Sequence, residues 1–264
     1  MIHYKSEKEI EVIKASAQIL GKAHAEVAKA LKPGVKTKDL DKIADEYIQD
    51  CGGWPSFKNY RGFPAALCIS VNEVVVHGIP GEYVLREGDI VSIDCGVKYN
   101  GYHSDSAYTY PLEGTSDDAL KLLNRTYESL HLGIAQARAG NRIGDVSFAI
   151  QHFVEQFGYG VVRELVGHGV GRDLHEDPEV PNYGKRGKGP MIKEGMVFAI
   201  EPMINMGTKN VVQEKDGWTI RTSDRKPSAH YEHMVAVLKD RTEVVTTHKY
   251  IEESYPFKWR SKSQ

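Results

Sequence analysis

The first part of the chain repeats apolar residues with the period of an α-helix. Ser6 and Glu9 form the S-x-x-E pattern of a capping box. From Ile10 onward, apolar residues recur at steps of three, four or seven. Pro33-Gly34 marks the end of this helix. The same reasoning predicts three more helices, at about 37–50, 116–138 and 144–157.

Apolar, β-branched and aromatic runs predict strands between and after these helices. Asn100-Gly101, flanked by such runs, predicts a tight hairpin turn. Residues whose numbers sum to 201 then face each other, so Asp94 and Asp105 lie one diagonal step apart on the same face. The predicted strands are 66–71, 74–77, 90–98, 101–110, 160–164, 197–204, 218–221 and 231–238.

Two acids on one face of a hairpin repel each other unless something offsets their charge. A shared proton, a Lys or Arg side chain, or a metal ion between Asp94 and Asp105 would do so. The hairpin could also be exposed, with both carboxylates solvated. The hairpin segment alone leaves these alternatives open.

The helix at 37–50 belongs to a segment that is repeated in the chain. Residues 33–53 align with residues 139–159 at a constant offset of 106, although any two amphipathic helices with a glycine cap partly align. A true repeat implies an α+β fold with a pseudo-twofold axis, in which helices pack on one side of a central antiparallel sheet. A site between the halves would draw residues from both. The matched pairs include Gly34 with Gly140, Asp39 with Asp145, and Gly52 with Gly158.

Composition excludes several classes of protein. The 264 residues are 41% hydrophobic and carry a formal net charge of −2, which gives no electrostatic reason to expect nucleic acid or membrane binding. Three widely spaced cysteines predict neither disulfides nor a zinc knuckle. The N-terminal stretch "MIHYKSEKEIEVIK" is not expected to be a signal peptide, because it has no apolar core and no small-residue cleavage site. The sequence has no dinucleotide loop, H-E-x-x-H helix or G-x-S-x-G elbow. We therefore expect a cytoplasmic enzyme or binding protein.

More carboxylates and histidines lie beside strand-like runs. Glu201 ends one such run and Glu232 precedes another, and an acid there is costly unless it is paired or binds metal. Taken singly, each could be a surface acid, and each nearby histidine a loop residue. Together, two Asp, two Glu and one His suit two divalent metals such as Mn, Fe or Co, and Zn less well. The histidines considered are His77, His168 and His175.

At this point the order of motifs resembles a known family, the type I methionine aminopeptidases. The motifs are "DCGVKYNGYHSD", "GHGVGRDLHEDP", "IEPM" and "YEH", and the resemblance covers roughly residues 5 to 245. It implies the pita-bread fold shared with aminopeptidase P, prolidase and creatinase. It also implies a hydrolase with two metal ions, which removes the initiator methionine from new polypeptides when the next residue is small.

The resemblance also implies roles for individual residues. Five residues would bind the metals, with Asp94 and Glu232 bridging. Glu201 would in addition take the proton from the attacking water, His175 would stabilise the oxyanion, and His77 would donate to the substrate amide nitrogen. The implied metal ligands are Asp94, Asp105, His168, Glu201 and Glu232. The implied methionine pocket is Tyr60, Phe63, Cys68 and Trp218, which the sequence alone would assign to an ordinary core.

The sequence departs from the family pattern at positions that are not ligands. These departures affect the expected shape of the pocket and the expected hydrogen bonds to the metal ligands. They do not change the expected reaction. An X-Pro aminopeptidase or prolidase remains the nearest alternative enzyme, and an inactive binding module on the same fold is a further one. The departures are Phe57 for a smaller residue, Gly96 for Thr, Leu174 for Phe, and Met234 for Thr.

We expect one catalytic domain over residues 1–250, followed by a polar tail over 251–264. The expected partner is a peptide or nascent-chain substrate, with a transient ribosome contact, no nucleic acid and no membrane. A cytoplasmic monomer is the expected state.

Overall fold

The computed structural model describes residues 1–257. The five helices within this range are α1 (Glu7–Ala30), α2 (Thr37–Asp50), α3 (Asp117–Gln136), α4 (Ile143–Glu155) and α5 (Lys249–Ser254), with a short 3-10 helix at Tyr60–Gly62. The strands of the first half are β1 (Trp54–Pro55), β2 (Leu67–Val71), β3 (Val74–Val76), β4 (Ile90–Tyr99) and β5 (Tyr102–Pro111). Those of the second half are β6 (Gly160–Val161), β7 (Gly167–Gly169), β8 (Glu176–Val180), β9 (Val197–Ile200), β10 (Met203–Asn205), β11 (Val211–Gln213), β12 (Ile220–Thr222), β13 (Ser228–His230), β14 (His233–Val237) and β15 (Thr242–Val244).

The predicted capping box and hairpin register are both confirmed. Ser6 caps α1, its side chain accepting from the backbone of Glu9 while the Glu9 side chain accepts from the backbone of Ser6. Across the turn, Asp94 pairs with Ala107 and Gly96 pairs with Asp105 in antiparallel register. The two acids therefore share one face of the sheet.

All pairs between the named strands are antiparallel, and the two halves meet beside the hairpin. Strand β4 pairs with β1, β2 and β5, while the largest sheet has the order β15-β14-β9-β7-β8. The amide of Glu232 donates to the carbonyl of Ala107 at 2.9 Å, which joins β5 to the start of β14. Helices α1 to α4 pack against these strands, and one main hydrophobic core includes residues from all four.

The predicted repeat is visible in the backbone. Helices α2 and α4 begin 106 residues apart, at Thr37 and Ile143. Gly34 and Gly140, which precede them, both have φ of +91°, a left-handed conformation that favours glycine. A real duplication therefore explains the alignment better than chance similarity between amphipathic helices.

Several predicted strands are shorter or broken. The strand predicted at 197–204 is interrupted at Glu201-Pro202, since proline has no N–H to continue the ladder. The strand predicted at 160–164 covers Gly160–Val161 alone. Strands β7 and β8 were missed, because glycine and acidic residues dominate them and hide the alternation.

The end of the chain packs onto the domain. Ile251 and Tyr255, which fall in the segment predicted as a tail, are buried in the main core. Residues 258–264 of that segment lie outside the described residues, so the division into domain and tail stays a prediction. Within residues 1–257, no helix is both long and apolar enough to span a membrane.

Candidate metal centre

One cavity of about 290 Å³ brings together all the residues to which the sequence gave a role. It lies where the hairpin of the first half meets the strands of the second. The structure thus shows the proximity of these side chains, whereas their individual roles stay predictions. The predicted residues that line it are Tyr60, Phe63, Cys68, His77, Asp94, Asp105, His168, His175, Glu201, Trp218 and Glu232.

The acidic side chains reach the cavity from the ends or middles of different strands. Asp94 lies on β4 and Asp105 on β5. His168 is the central residue of β7, Glu201 directly follows β9, and Glu232 directly precedes β14. Strands β4 and β5 pair in one sheet, and β9 lies between β7 and β14 in another. Because the bond from the Glu232 amide to Ala107 links the two sheets, residues far apart in sequence converge at one point.

Three of these residues form a compact group that could hold a metal ion. One oxygen or nitrogen atom each from Asp105, His168 and Glu232 lies within 4.8 Å of the others. The Nε2 atom of His168 is also 3.6 Å from Oε1 of Glu201 and 3.9 Å from Oδ2 of Asp105. Asp94 lies on the strand that pairs with β5 and lines the same cavity as Asp105, so it joins the group from the β4 side.

The carboxylates lack protein partners for several of their atoms. Within the described residues, Oδ1 of Asp94, Oδ1 of Asp105 and Oε1 of Glu232 are buried without a hydrogen bond. A buried carboxylate oxygen without a partner is costly, and a divalent cation satisfies it. The donor set therefore fits bound metal. Arg61 also lines the cavity, but within the described residues no ion pair joins it to these carboxylates.

Burial raises the pKa of every carboxyl in this group. The pKa of Asp94 rises to about 7 through burial, partly offset by its hydrogen bonds to Asp105 and to the backbone of Cys95. Burial, followed by the nearby charges of Glu232 and Asp94, raises the pKa of Asp105. Burial and neighbouring carboxylates likewise raise the pKa of Glu201 and of Glu232. Without a cation, the protein would hold protons here near neutral pH.

His168 is oriented as a neutral imidazole. Burial lowers its pKa to about 4. Its Nδ1 atom lies 3.0 Å from the carbonyl oxygen of Gly169, so Nδ1–H donates there and Nε2 keeps a free lone pair. That lone pair faces Asp105 and Glu201, as metal ligation requires.

The two other predicted histidines lie on the wall of the cavity. Nδ1 of His175 is 2.9 Å from the hydroxyl of Tyr60, and the two rings stack with centroids 5.2 Å apart. His77 has φ of +58°, an uncommon conformation for a non-glycine residue, and its ring meets Trp218 edge to face at 6.3 Å. Burial lowers the pKa of both histidines, to about 3 for His175.

An apolar pocket adjoins the carboxylates. Phe63 meets Trp218 edge to face at 5.2 Å. Cys68 on β2 pairs across the strands with Asp94 on β4, so the apolar pocket is directly beside the clustered carboxylates. The apolar cluster consists of Phe57, Phe63, Ala65, Cys68 and Leu174, with Tyr60, Ile79 and Trp218 against it.

Two departures from the family pattern have structural explanations. A Cβ atom on Gly96 would lie 2.8 Å from Cε1 of Phe57 and 2.8 Å from Cβ of Ser56, so the large Phe57 requires a glycine there. Met234, which stands in place of Thr, still accepts a hydrogen bond: its Sδ accepts from the amide of Asp105 at 3.0 Å. Leu174 is buried in the pocket cluster.

Sequence reasoning missed His230. It is buried, and its Nε2 atom has no hydrogen bond within the described residues but lies 3.8 Å from Oε2 of Glu201. A histidine two positions before Glu232 in "HYEH" was the available signal. Side chains alternate between the two faces of a strand, so His230 and Glu232, two positions apart, would be expected on the same face.

Clustered carboxylates, one neutral imidazole and an adjoining apolar pocket define a metal-dependent hydrolase. A family model described as metallopeptidase family M24 matches residues 11–239, and the chain belongs to this family. Methionine aminopeptidase 1 of Bacillus subtilis is 50% identical over 246 residues, which are 93% of this chain and 99% of that protein. The resemblance seen in the motifs is therefore confirmed.

Solved structures agree with this assignment. The crystal structure of methionine aminopeptidase from Rickettsia prowazekii matches with a TM-score of 0.92 and 38% identity, over 94% of this chain and 100% of that one. A prolidase from Pyrococcus furiosus matches with a TM-score of 0.74 at 21% identity, over 92% of this chain and 65% of that one, which shows a common fold alone. The predicted pita-bread fold is confirmed.

Proposed function

We propose that the protein is a metal-dependent aminopeptidase that removes the initiator methionine from new polypeptides when the next residue is small. The observation that carries the proposal is the single cavity in which five metal-type ligands adjoin an apolar pocket. The similarity to curated methionine aminopeptidases supports the same reaction.

Two divalent metal ions, chosen among Mn, Fe, Co and Zn, would be held by Asp94, Asp105, His168, Glu201 and Glu232. Bound metals of this kind lower the pKa of a shared water and polarise the scissile carbonyl. Four carboxylates carry a charge of −4, which two divalent cations neutralise. Within this set, ligand atoms of Asp105, His168 and Glu232 lie within 4.8 Å of one another, and Asp94 and Glu201 line the same cavity.

The protein's own groups would carry the proton transfers. Glu201, whose pKa is raised by burial, would accept the proton of the attacking water and deliver it to the leaving amine. His175 would donate from Nε2 to the developing oxyanion, since Tyr60 occupies its Nδ1 side. His77 would donate to the amide nitrogen of the substrate.

The methionine side chain would enter the apolar cluster beside the carboxylates. Phe63 and Trp218 present ring faces and edges there, and Cys68 adds a polarizable sulfur. Thioethers make favourable contacts with such surfaces. The scissile bond would then lie next to Glu201 and His175. New chains carry their initiator methionine in the cytoplasm, so we place the protein there, as a monomer in transient contact with the ribosome.

The test is methionine release from Met-Gly and Met-Leu peptides after metal removal and after addition of Mn, Fe, Co or Zn, with X-Pro peptides in parallel. We expect metal-dependent cleavage of Met-Gly, little cleavage of Met-Leu, and loss of activity in Asp94→Ala. Asp240→Ala, a change of an exposed acid on the loop after β14, is the matched control and should retain activity.

The alternatives give different results in the same assay. Cleavage confined to peptides with proline in the second position would favour an X-Pro aminopeptidase. Failure to cleave any peptide with any metal would favour an inactive binding module.

A further inference from the structure

The first residues of the chain lie across the start of β8, directly after the loop at 170–175 that presents His175. Ile2 forms a parallel bridge with Asp177, and the amino group of Met1 pairs with the carboxylate of Asp177. The amide of Lys5 donates to the carbonyl of Gly195 at 2.7 Å, which fixes the segment before α1 begins. This segment is not part of the cavity that holds the metal-type ligands.

A buried ion pair joins this segment to the loop. Nζ of Lys5 is 2.5 Å from Oε2 of Glu176, and the two side chains are 4% and 5% exposed. The residues are 171 positions apart in sequence, so the contact is purely tertiary. Nζ of Lys5 also donates to the carbonyl of His3 at 3.1 Å.

Glu176 uses its second oxygen to shape the turn that carries His175. The amide of Asp173 donates to Oε1 of Glu176 at 3.2 Å, and His175 lies within the turn that this bond closes. The aliphatic stem of Lys5 fills the space beside Gly171, where a Cβ atom would lie 2.5 Å from Cε of Lys5. The lysine therefore contacts both the start of the loop and the residue after the histidine.

We propose that Lys5 and Glu176 are positioning residues that hold His175 in its reactive orientation. An apolar pair of similar size would cost less to bury, so stability alone gives a weak reason for a charged pair here. A directional ion pair fixes the loop more narrowly, and a displacement of about 1 Å at a reacting group can lower a rate by roughly a hundredfold. Tyr60 restrains the His175 ring from the opposite side.

The proposal rests on the proposed function of His175, so its test needs a readout that is independent of turnover. Lys5→Met keeps the aliphatic stem and removes the charge, whereas Glu176→Gln keeps the shape of the acceptor. For each variant, kcat and KM on a Met-Gly peptide, the Kd for Mn²⁺, and the ¹⁵N signals of the His175 ring would be measured. Lys14→Met is the matched control, because Lys14 also pairs with an acid, Glu243, but far from the loop.

We expect kcat to fall by roughly ten- to a hundredfold in Lys5→Met, with less than about a threefold change in KM. The Kd for Mn²⁺ should stay the same, because within residues 1–257 the Lys5 and Glu176 side chains form no hydrogen bond or ion pair with a proposed metal ligand. The His175 signals should shift or broaden. Lys14→Met should change none of these quantities.

A Lys5→Met protein with wild-type kcat and unshifted His175 signals would overturn the proposal, even if its melting temperature fell. If Lys5→Met does not fold, Glu176→Gln decides by the same criteria. If the wild-type protein releases no methionine, the proposed function fails, whereas the ¹⁵N signals still show whether the ion pair fixes His175.

Discussion

The hydroxyl of Tyr60 lies 2.9 Å from Nδ1 of His175, and the two rings are stacked with an interplanar angle of 19°. The family resemblance implied that Tyr60 lines the methionine pocket, and the structure adds a contact between Tyr60 and His175, which is a catalytic candidate. A hydroxyl that donates to Nδ1 leaves the proton of a neutral imidazole on Nε2. Tyr60 can therefore set the tautomer that an oxyanion donor needs.

Tyr60→Phe should lower kcat for Met-Gly peptides by roughly tenfold, the value of one hydrogen bond of about 1.4 kcal/mol. KM should change little, because the ring that faces the cavity is retained. Steady-state kinetics would separate the two parameters. Tyr83→Phe is the control, since that hydroxyl bonds to Asp89 away from the site. A raised KM with unchanged kcat would show that Tyr60 is a pocket wall alone.

Gly96→Ala should destabilise the protein by about 1–3 kcal/mol, because the new methyl group would meet the ring of Phe57. Urea unfolding would measure the loss of free energy. Adding Phe57→Ala should recover part of it, so that the two changes are not additive. Additive losses would show that the ring of Phe57 is not what requires glycine at position 96.

The metal-free protein should lose stability as the pH rises from about 4 to about 7. Burial raises the pKa of Asp94 to about 7, so the folded state keeps a proton that the unfolded state releases near pH 4. Above pH 7, the raised pKa of Asp94 alone lowers the free energy of unfolding by about 4 kcal/mol. The raised pKa values of Asp105, Glu201 and Glu232 act in the same direction.

Thermal unfolding of the metal-free protein between about pH 5 and about pH 8 checks this expectation. Asp94→Asn should flatten the pH dependence, and added Mn²⁺ should raise the melting temperature most at the alkaline end. A metal-free protein that becomes more stable across this range would contradict the assigned direction of the pKa shifts.

Trp218→Ala should lower kcat/KM for methionine peptides by roughly thirtyfold, which corresponds to about 2 kcal/mol of lost contact with the thioether side chain. The effect should lie mainly in KM, since the Trp218 ring packs against Phe63 in the apolar pocket and against His77 on the cavity wall. Trp54→Ala, a change of an exposed tryptophan, should have no such effect. Equal losses in both variants would argue against the pocket assignment.

The parts of the fold that depend on local patterns could be predicted from the sequence. The Asn100-Gly101 turn fixed the register that brings Asp94 and Asp105 to one face, and helix α2 has the predicted limits. Strand β7 could not be predicted, because "GHG" has no alternation and becomes a strand only through pairing with β8 and β9.

The site was predictable as a set of residues but not as a set of contacts. Every residue to which the family resemblance gave a role lines the cavity. The approach of His230 to Glu201 and the pairing of Lys5 with Glu176 depend on tertiary packing between distant segments. The alternation in "HYEH" could have placed His230 on the face of Glu232, but no local signal specifies that His230 approaches Glu201 or that Lys5 pairs with Glu176.

The repeat at an offset of 106 residues has a consequence for how the protein acquires metal. The first half supplies Asp94 and Asp105, and the second supplies Glu201 and Glu232, so neither half alone holds the full set. The halves join beside these acids, where the amide of Glu232 bonds to Ala107. A chain still emerging during synthesis would bind cations weakly until the segment with Glu201 and Glu232 had folded, so metal uptake would follow the joining of the two halves.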